Sequence, residues 1–593
     1  MPSPPLDLTA ELARHFGFDG FRPGQEEVVR SVLAGRPTVA VMPTGAGKSL
    51  CYQLPALLLP GTALVVSPLV ALMKDQVDAL TARGIPATFI NSSIDDLEKA
   101  RRLKEMSRGA YKLVYVAPER FRSSAFLEAL QGVTLSLYAV DEANCISTWG
   151  HDFRPDYTRL GQVRWALRPP RTLALTATAT TEVQGDIVRI LRLKDPLVSV
   201  AGFDRPNLFL EVAKVGGDHE KLVRIAKACS TGGGIVYCAT RRDVEKVAAA
   251  LDRRGIAALA YHAGMGDDER REVQDRFMAR DDAVVCATNA FGMGVDKAAI
   301  RFVAHFAVPK APEAYYQEIG RAGRDGKPAR ALLLFNHADI FLQERLIEGG
   351  HPSPKLVRDI WTRIARQAPG EVDETEGSLA RALGAGNMEV GAALKHLERA
   401  GHLVRTPRNL LVREVVEASE LRIDFEELAE RRQRELTQLK RMASYAYHPG
   451  CRRAFLLAYF GDRQVSCSGC DSCNGPGDEP APDELADAPR RKKRKQARGG
   501  ALEVAAAALA GGEVTERPFD GTVFEALKRL RLTPARAEGV PPYVVFHDRT
   551  LKDLARELPT TRDAFVDVHG IGPAKWDRYG PHVIAAIAQA LGR

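Results

Sequence analysis

Short apolar runs of β type alternate with helical stretches through the first third of the chain, at residues 38–42, 63–67, 113–116, 135–140 and 172–175. Runs that are apolar throughout, without alternation, suit strands covered on both faces, so a parallel α/β sheet is expected over residues 1–200. The rhythm restarts after Phe203-Asp204-Arg205-Pro206, with runs at 234–237, 283–286, 302–305 and 331–335 separated by charged helices. A second α/β domain of similar size is therefore expected over 201–345.

Past residue 341 the β-type runs thin out. Helical stretches lead to 401–405 and 409–413, two short β candidates joined by a turn containing Pro407, which gives a winged-helix outline within 350–416. Residues 424–447 form one long helix whose narrow stripe of Leu428, Leu436, Leu439 and Met442 suits packing on a neighbour better than a dimeric coiled coil. That helix and the cysteine-rich segment after it define a helical hairpin over 417–475. Residues 476–518 combine Pro, Gly and acidic residues with a basic run, so a disordered linker is expected there. A final helical domain occupies 519–593. The two α/β halves share a pattern but no solenoid period.

A length of 593 residues requires several domains, and 45% hydrophobic with 27% charged residues is ordinary for a globular chain. The N-terminus lacks a signal-peptide layout, and the apolar stretch near Leu57 is broken by Pro60 and Gly61. A cytoplasmic protein without a membrane partner is expected, nucleoid-associated if prokaryotic. Of nine cysteines, five are scattered (Cys51, Cys145, Cys229, Cys238, Cys286) and four cluster (Cys451, Cys467, Cys470, Cys473), which suits a reducing compartment with one metal site. The net charge of +8 is nearly exhausted by the run Arg490, Arg491, Lys492, Lys493, Arg494, Lys495 and Arg498. Any surface for nucleic acid must then be a local patch on a nearly neutral body.

Pro43-Thr44-Gly45-Ala46-Gly47-Lys48-Ser49 follows a strand and opens a helix, the setting in which backbone N–H groups cradle phosphates. Lys48 is expected to reach the β and γ phosphates of ATP, and Ser49 to hold Mg2+. Met42 stands where the general pattern has its first glycine. Leu137-Tyr138-Ala139-Val140-Asp141-Glu142 is an apolar strand ending in two carboxylates, which puts Asp141 near the Mg2+ and Glu142 beside the attacking water. In the second half, Gln317-Glu318-Ile319-Gly320-Arg321-Ala322-Gly323-Arg324 offers two arginines among small residues, suited to stabilising a transferring phosphate across a cleft; the alternative is a solvated helix face.

Together these segments resemble superfamily 2 helicases. The stretch Ile146-Ser147-Thr148-Trp149-Gly150-His151-Asp152-Phe153-Arg154-Pro155-Asp156-Tyr157 narrows the resemblance to the RecQ DNA helicase family, and it runs without a gap over about 8–335. Phe18, Phe21, Arg22 and Gln25 are similar to that family's adenine-reading segment. Ser67-Pro68-Leu69 with Asp75-Gln76, Thr176-Ala177-Thr178-Ala179, and the segment from Ala287 to Lys297 are similar to its DNA-contact and coupling motifs.

The resemblance implies two RecA-like parallel-sheet domains in tandem followed by small, mostly helical modules. It implies a 3′ to 5′ ATP-dependent helicase acting on single-stranded and tailed or branched duplex DNA in repair or recombination, with a single-strand binding protein as a candidate partner. Trp149 and Phe153 offer faces to unstacked bases, and Arg154 a guanidinium to phosphate or base. One residue departs from the family pattern: Asp141-Glu142-Ala143-Asn144 ends in asparagine where the family has histidine. Hydrolysis is expected to survive this change while its coupling to DNA is altered. Two further readings stand beside the DNA helicase: a DNA-dependent ATPase acting as a clamp or annealing module, and an RNA helicase.

The spacing C-x15-C-x2-C-x2-C of Cys451, Cys467, Cys470 and Cys473 suits a closed four-cysteine zinc site, with an iron–sulfur cluster as the competing chemistry. The resemblance favours Zn2+. In the common family layout a winged helix follows the zinc module, whereas here it must precede it. Its candidate recognition helix, 388–399, turns Val390, Leu394 and Leu397 inward and leaves Lys395, His396 and Arg399 for phosphate; a purely structural helical bundle is the alternative. Residues 519–593 resemble the HRDC domain, where Lys575 and the glycines at 570 and 572 suit either one phosphate contact or a tight helix-packing turn. The basic run tethers DNA or keeps the linker soluble.

Overall fold

The computed structural model describes residues 6–148, 150, 154–292, 297–406, 409–412, 414–462, 466–477, 519–537, 542–546, 548–566, 568 and 573–592. The chain divides into two compact units, 1–486 and 487–593. In the first unit, strands β1 (Thr38–Val41), β2 (Thr62–Val66), β3 (Ala87–Ile90), β4 (Leu113–Val116), β5 (Leu135–Val140), β6 (Thr172–Thr176) and β7 (Leu197–Val200) form one sheet in the order β3-β4-β2-β5-β6-β1-β7. Every pairing in it is parallel. Its central strands are buried along their whole length, as unbroken apolar runs with helices on both faces require.

A second parallel sheet contains β8 (Leu208–Lys214), β9 (Gly234–Tyr237), β10 (Ala258–Tyr261), β11 (Val284–Ala287), β12 (Phe302–His305) and β13 (Ala329–Phe335), ordered β10-β11-β9-β12-β13-β8. Four strands in the two sheets, β3, β7, β8 and β10, lie outside the apolar runs visible in the sequence. Two of them are too weakly buried to carry such a run: β7 alternates exposed with covered positions, and β10 is half-buried throughout.

A small module follows, built as helix Pro354–Ala365, strand β14 (Gly370–Val372), helices Glu376–Leu383 and Asn387–Arg399, then strands β15 (Leu403–Arg405) and β16 (Leu410–Val412). The three strands pair antiparallel with β16 in the middle, so the module sets a small sheet beside its helices. Trp361, Val390, Leu394, Leu397 and Val412 close its own core. His396 departs from the expectation that it would offer charge to phosphate: burial, helped by Arg399, pushes its pKa down to about 4, so the ring is neutral at pH 7. Lys395 and Arg399 are exposed as expected. Arg405 is paired with Glu376 and Glu398, and residues 407 and 408 of the expected turn lie outside the described residues.

Helix Phe425–Tyr447 is capped by Asp424 and buries Leu439 and Met442 in the core of the second sheet, with Leu436 partly buried against it. Its stripe packs on a neighbour as expected. The linker expected over 476–518 lies, apart from residues 476 and 477, outside the described residues. The second unit is helical, with Val523, Leu527, Leu551, Leu554, Phe565, Val583 and Ile587 in its core. Among the described residues no helix is long and apolar enough to cross a membrane.

Candidate active site and metal centre

In the first sheet the chemistry collects at the carboxyl ends of four adjacent strands, where ligands of open α/β sheets bind. The phosphate loop leaves β1, Asp141 and Glu142 end β5, Thr176 ends β6 and Ser67 follows β2. Gly45 and Gly47 adopt φ of 85° and 74°, a region that side chains disfavour, so the loop turns sharply enough to enter helix Leu50–Leu58. A Cβ on Gly47 would also sit 2.8 Å from Gln25 Nε2.

Gln25 donates to Ala46 O at 2.8 Å and Gly47 O at 3.0 Å and accepts from Arg22 N at 2.8 Å, while Arg22 donates to Gly45 O. The segment holding Phe18, Arg22 and Gln25 is thus fastened to the phosphate loop, with the Phe18 ring half exposed at the rim.

Asp141 is nearly buried at the end of β5. Burial and the neighbouring Glu142 charge push its pKa up to about 7, against the pull of Lys48. Two carboxylates facing one ammonium form a donor set that a divalent cation would complete. Glu142 has φ 45°, a left-handed conformation uncommon for a non-glycine residue, which turns the chain directly after Asp141. Asn144 is buried; with its amide nitrogen toward the acceptors, it donates to Glu142 Oε2 at 3.2 Å, Glu142 O at 3.3 Å and Thr176 Oγ1 at 2.9 Å. The departure from the family's histidine therefore keeps a bridge between the acidic pair and the Thr-Ala-Thr segment, without a group that can titrate near neutrality.

The second lobe closes the site. A cleft of about 670 Å³ is lined by Thr44, Gly45, Gly47, Lys48, Ser49, Asp141 and Glu142 on one side and by Gln317, Arg321 and Arg324 on the other, with Phe18, Arg22 and Gln25 at its edge. Arg321 is buried and donates to Gly292 O. The stem of Arg324 lies over the phosphate loop, where a Cβ on Gly45 would meet its Cγ at 3.4 Å. Neither arginine is on a solvated helix face. Ala46, whose carbonyl is held by Gln25, packs against the first-lobe core.

Of the expected DNA contacts, Arg154 donates to Pro68 O at 3.0 Å, tying the aromatic segment to the Ser67-Pro68-Leu69 strand end. Ser67 is buried, and its Oγ has no hydrogen-bond partner among the described residues. Trp149 and Phe153 lie outside the described residues. In the C-terminal unit Lys575 Nζ sits 5.2 Å from the Phe546 ring centroid, and residues 569–572 lie outside the described residues.

Cys451, Cys467, Cys470 and Cys473 bring their sulfurs within 4.8 Å of one another, and the Cys451 and Cys470 sulfurs are 3.9 Å apart. Sulfurs about 2.3 Å from a tetrahedral zinc would be spaced about 3.8 Å, so the cluster fits. Cys451 caps helix Arg452–Tyr459, and Cys473 lies in the one-turn helix Asp471–Asn474. Burial would raise the Cys470 thiol, yet N–H groups of Arg452 and Cys473 bring it down to about 7, toward the thiolate that binds metal.

One residue at the cleft was not expected from the sequence. Arg205, in the connection between the sheets, donates to the carbonyls of Thr44, Gly320, Ala322 and Gly323. Its four acceptors lie more than 100 positions away, so no local pattern announces it.

Two tandem parallel sheets with a phosphate loop, an acidic strand end and opposed arginines define an ATP-driven motor of the helicase class. Family models agree: residues 22–186 match the DEAD/DEAH box helicase model, 219–326 the helicase conserved C-terminal domain, 410–474 the RecQ zinc-binding model and 520–587 the HRDC domain. ATP-dependent DNA helicase RecQ of Bacillus subtilis is 37% identical over 587 residues, covering 96% of each chain. ATP-dependent DNA helicase RecQ of Haemophilus influenzae is 34% identical over 97% of this chain and 94% of its own. Probable ATP-dependent DNA helicase RecS of B. subtilis is 38% identical over 76% of this chain and 88% of its own. The chain belongs to the RecQ family and is an ATP-dependent DNA helicase with a zinc-binding module and an HRDC domain.

Proposed function

We propose that this helicase steps 3′ to 5′ along one strand of tailed or branched duplex DNA, in repair or recombination. The observation that carries the reading is the shared cleft, in which Lys48, Asp141 and Glu142 from one lobe face Arg321 and Arg324 from the other. In this reading Phe18, Arg22 and Gln25 hold the adenine, and the N–H groups of residues 44–49 cradle the phosphates. Lys48 neutralises the β and γ phosphates, and Glu142, bonded to Asn144, orients and deprotonates the attacking water. Arg321 and Arg324 stabilise the negative charge that develops as the γ phosphoryl group leaves, so hydrolysis is fast only when the lobes are closed. Gln317 lies on the same wall and positions the phosphoryl oxygens.

Ser49 and Asp141 would hold Mg2+, which neutralises phosphate charge when bound. The four cysteine thiolates hold Zn2+ in a closed, structural site. Ser67, Trp149, Phe153 and Arg154 contact the tracked strand; the Arg154 bond to Pro68 O and the bond that Tyr157 Oη donates to Asp141 O at 3.0 Å support a mechanical link from that strand to the acidic pair. Lys575 adds a contact from the HRDC domain.

Strand displacement on 3′-tailed DNA, 5′-tailed DNA and tailed RNA duplexes tests the reading, with Lys48→Ala as control. Displacement confined to 3′-tailed DNA is expected. Equal displacement from 5′ tails would overturn the polarity, and equal displacement of RNA the substrate. DNA-stimulated ATP turnover without displacement would favour the clamp instead.

A further inference from the structure

We propose that Arg205 is a positioning residue that sets how the two lobes meet around ATP, and that the zinc module holds it in place. The inference rests on reading the cleft as the ATP site.

The Arg205 guanidinium lies behind that cleft and joins the two loops that supply its opposed residues. Its Nη1 donates to Thr44 O and Gly320 O, both at 3.0 Å, and its Nη2 to Ala322 O at 2.9 Å and Gly323 O at 3.2 Å. Thr44 stands in the phosphate loop of the first lobe, while Gly320, Ala322 and Gly323 bracket Arg321 and lead into Arg324 in the second. One side chain therefore spaces the loop that grips phosphate against the loop that completes the charge around it. The two loops are in near contact already, since a Cβ on Gly320 would lie 3.2 Å from Thr44 Cβ.

The chemistry of the residue suits this task. A planar fork of five donors serves several carbonyls at once in fixed directions, which a single ammonium nitrogen cannot do. Among the described residues Arg205 forms no ion pair, so its charge is spent on orienting backbone carbonyls, and separating the lobes would strip it of the Thr44 acceptor.

The backbone on either side of Arg205 is gripped by the zinc module. Arg453, almost fully buried, donates through Nη1 to Asp204 Oδ1 and, at 2.9 Å, to Arg205 O. Its Nη2 donates to Leu208 O and, at 3.4 Å, to Gly469 O, next to the ligand Cys470. Phe203 N donates to Asp462 Oδ2 at 2.9 Å, and the Phe203 ring stacks on Phe460 at 4.6 Å with planes 14° apart. Arg453 lies two residues after the ligand Cys451. The metal loop thus orders the segment that orders the cleft, a role separate from any contact of that module with DNA.

Full-length Arg205→Ala, Arg205→Lys and Arg453→Lys are compared with the unsubstituted protein and Lys48→Ala. ATP turnover is measured at saturating single-stranded DNA, alongside nucleotide-free DNA affinity by fluorescence anisotropy, zinc content and melting temperature. Arg205→Ala is expected to lower kcat about tenfold or more, because charge-assisted bonds across the cleft are lost, while DNA affinity stays within about twofold. Arg205→Lys should fall between the two. Arg453→Lys should lower kcat by about threefold to tenfold with zinc content retained, and it carries the test if Arg205→Ala fails to fold. Unchanged kcat in the Arg205 or Arg453 variants would overturn the proposal, as would a loss matched by equal losses of DNA affinity and melting temperature. Lys48→Ala with full activity would instead overturn the cleft assignment itself.

Discussion

In the seven-stranded sheet four neighbouring strands end in residues placed for chemistry: Ser67 after β2, Asp141 and Glu142 after β5, Thr176 on β6 and the phosphate loop after β1. In the six-stranded sheet the cleft residues come instead from the end of helix Pro312–Ile319 and the loop behind it, with Gln317, Arg321 and Arg324 projecting across. One lobe presents backbone N–H groups and carboxylates whose directions are fixed by strands. The other presents guanidinium groups, whose effect depends on distance from the phosphates. Under the proposed function, the first lobe would bind nucleotide in any state of closure, and the second would act on it only when closed.

That division can be broken most sharply at Lys48. Lys48→Ala is expected to reduce kcat/KM for ATP by about 10³-fold or more, since ground-state binding and phosphate charge stabilisation fail together. Steady-state ATPase assays with DNA present check this, and a loss under tenfold would contradict the assignment. Arg321→Ala and Arg324→Ala should differ in kind. Each is expected to lower kcat by about 10²-fold while KM for ATP moves less than about threefold, because an interaction made chiefly in the transition state has been removed. Parallel losses in KM would show that the second lobe also grips the ground state.

Removing zinc probes what supports the second lobe. The zinc loop lies along β8, where Leu210 bridges Cys470 and Val212 N donates to Asp471 Oδ2 at 3.1 Å. Cys470→Ser is expected to lose bound zinc and destabilise the first unit by several kcal/mol, read as a lower melting temperature with metal content measured in parallel. Retention of both zinc and melting temperature would show that three thiolates suffice. The smallest effect is expected at Asn144→His. Basal ATP turnover should persist, while the ratio of DNA-stimulated to basal turnover changes about twofold to fivefold, the scale of one altered hydrogen bond between Glu142 and Thr176. An unchanged ratio would show that asparagine and histidine serve equally in this bridge.

The sites most legible from the chain are those whose function is local. A strand, a glycine turn and a helix start are consecutive at residues 38–50, and an apolar strand runs straight into Asp141 and Glu142, so residue order alone indicates phosphate and metal chemistry there. The four cysteines are legible because three of them recur at every third position, a spacing that suits metal ligands. Elements whose burial is incomplete were harder to see. The edge strand β7 and the half-buried β10 carry no unbroken apolar run, and their pairing comes from neighbours that the sheet supplies.

His396 illustrates the same limit for charge. It stands among residues that look solvated, yet the fold half-buries it beside Arg399 and lowers its pKa, whereas Lys395 one position earlier stays exposed. Arg205 is the fullest case, since a short polar segment between two domains reads as a connection and nothing more.

From residue order alone came the phosphate-loop pattern, the four-cysteine cluster and the two parallel sheets, because each is written in short stretches of chain. Only tertiary structure decided which distant carbonyls Arg205 spans, that Asn144 joins Glu142 to Thr176, and that the zinc loop grips the connection between the lobes. Those choices depend on where backbone groups far apart in the chain come to lie, and hydrogen-bond directions across a cleft are set by packing rather than by residue order.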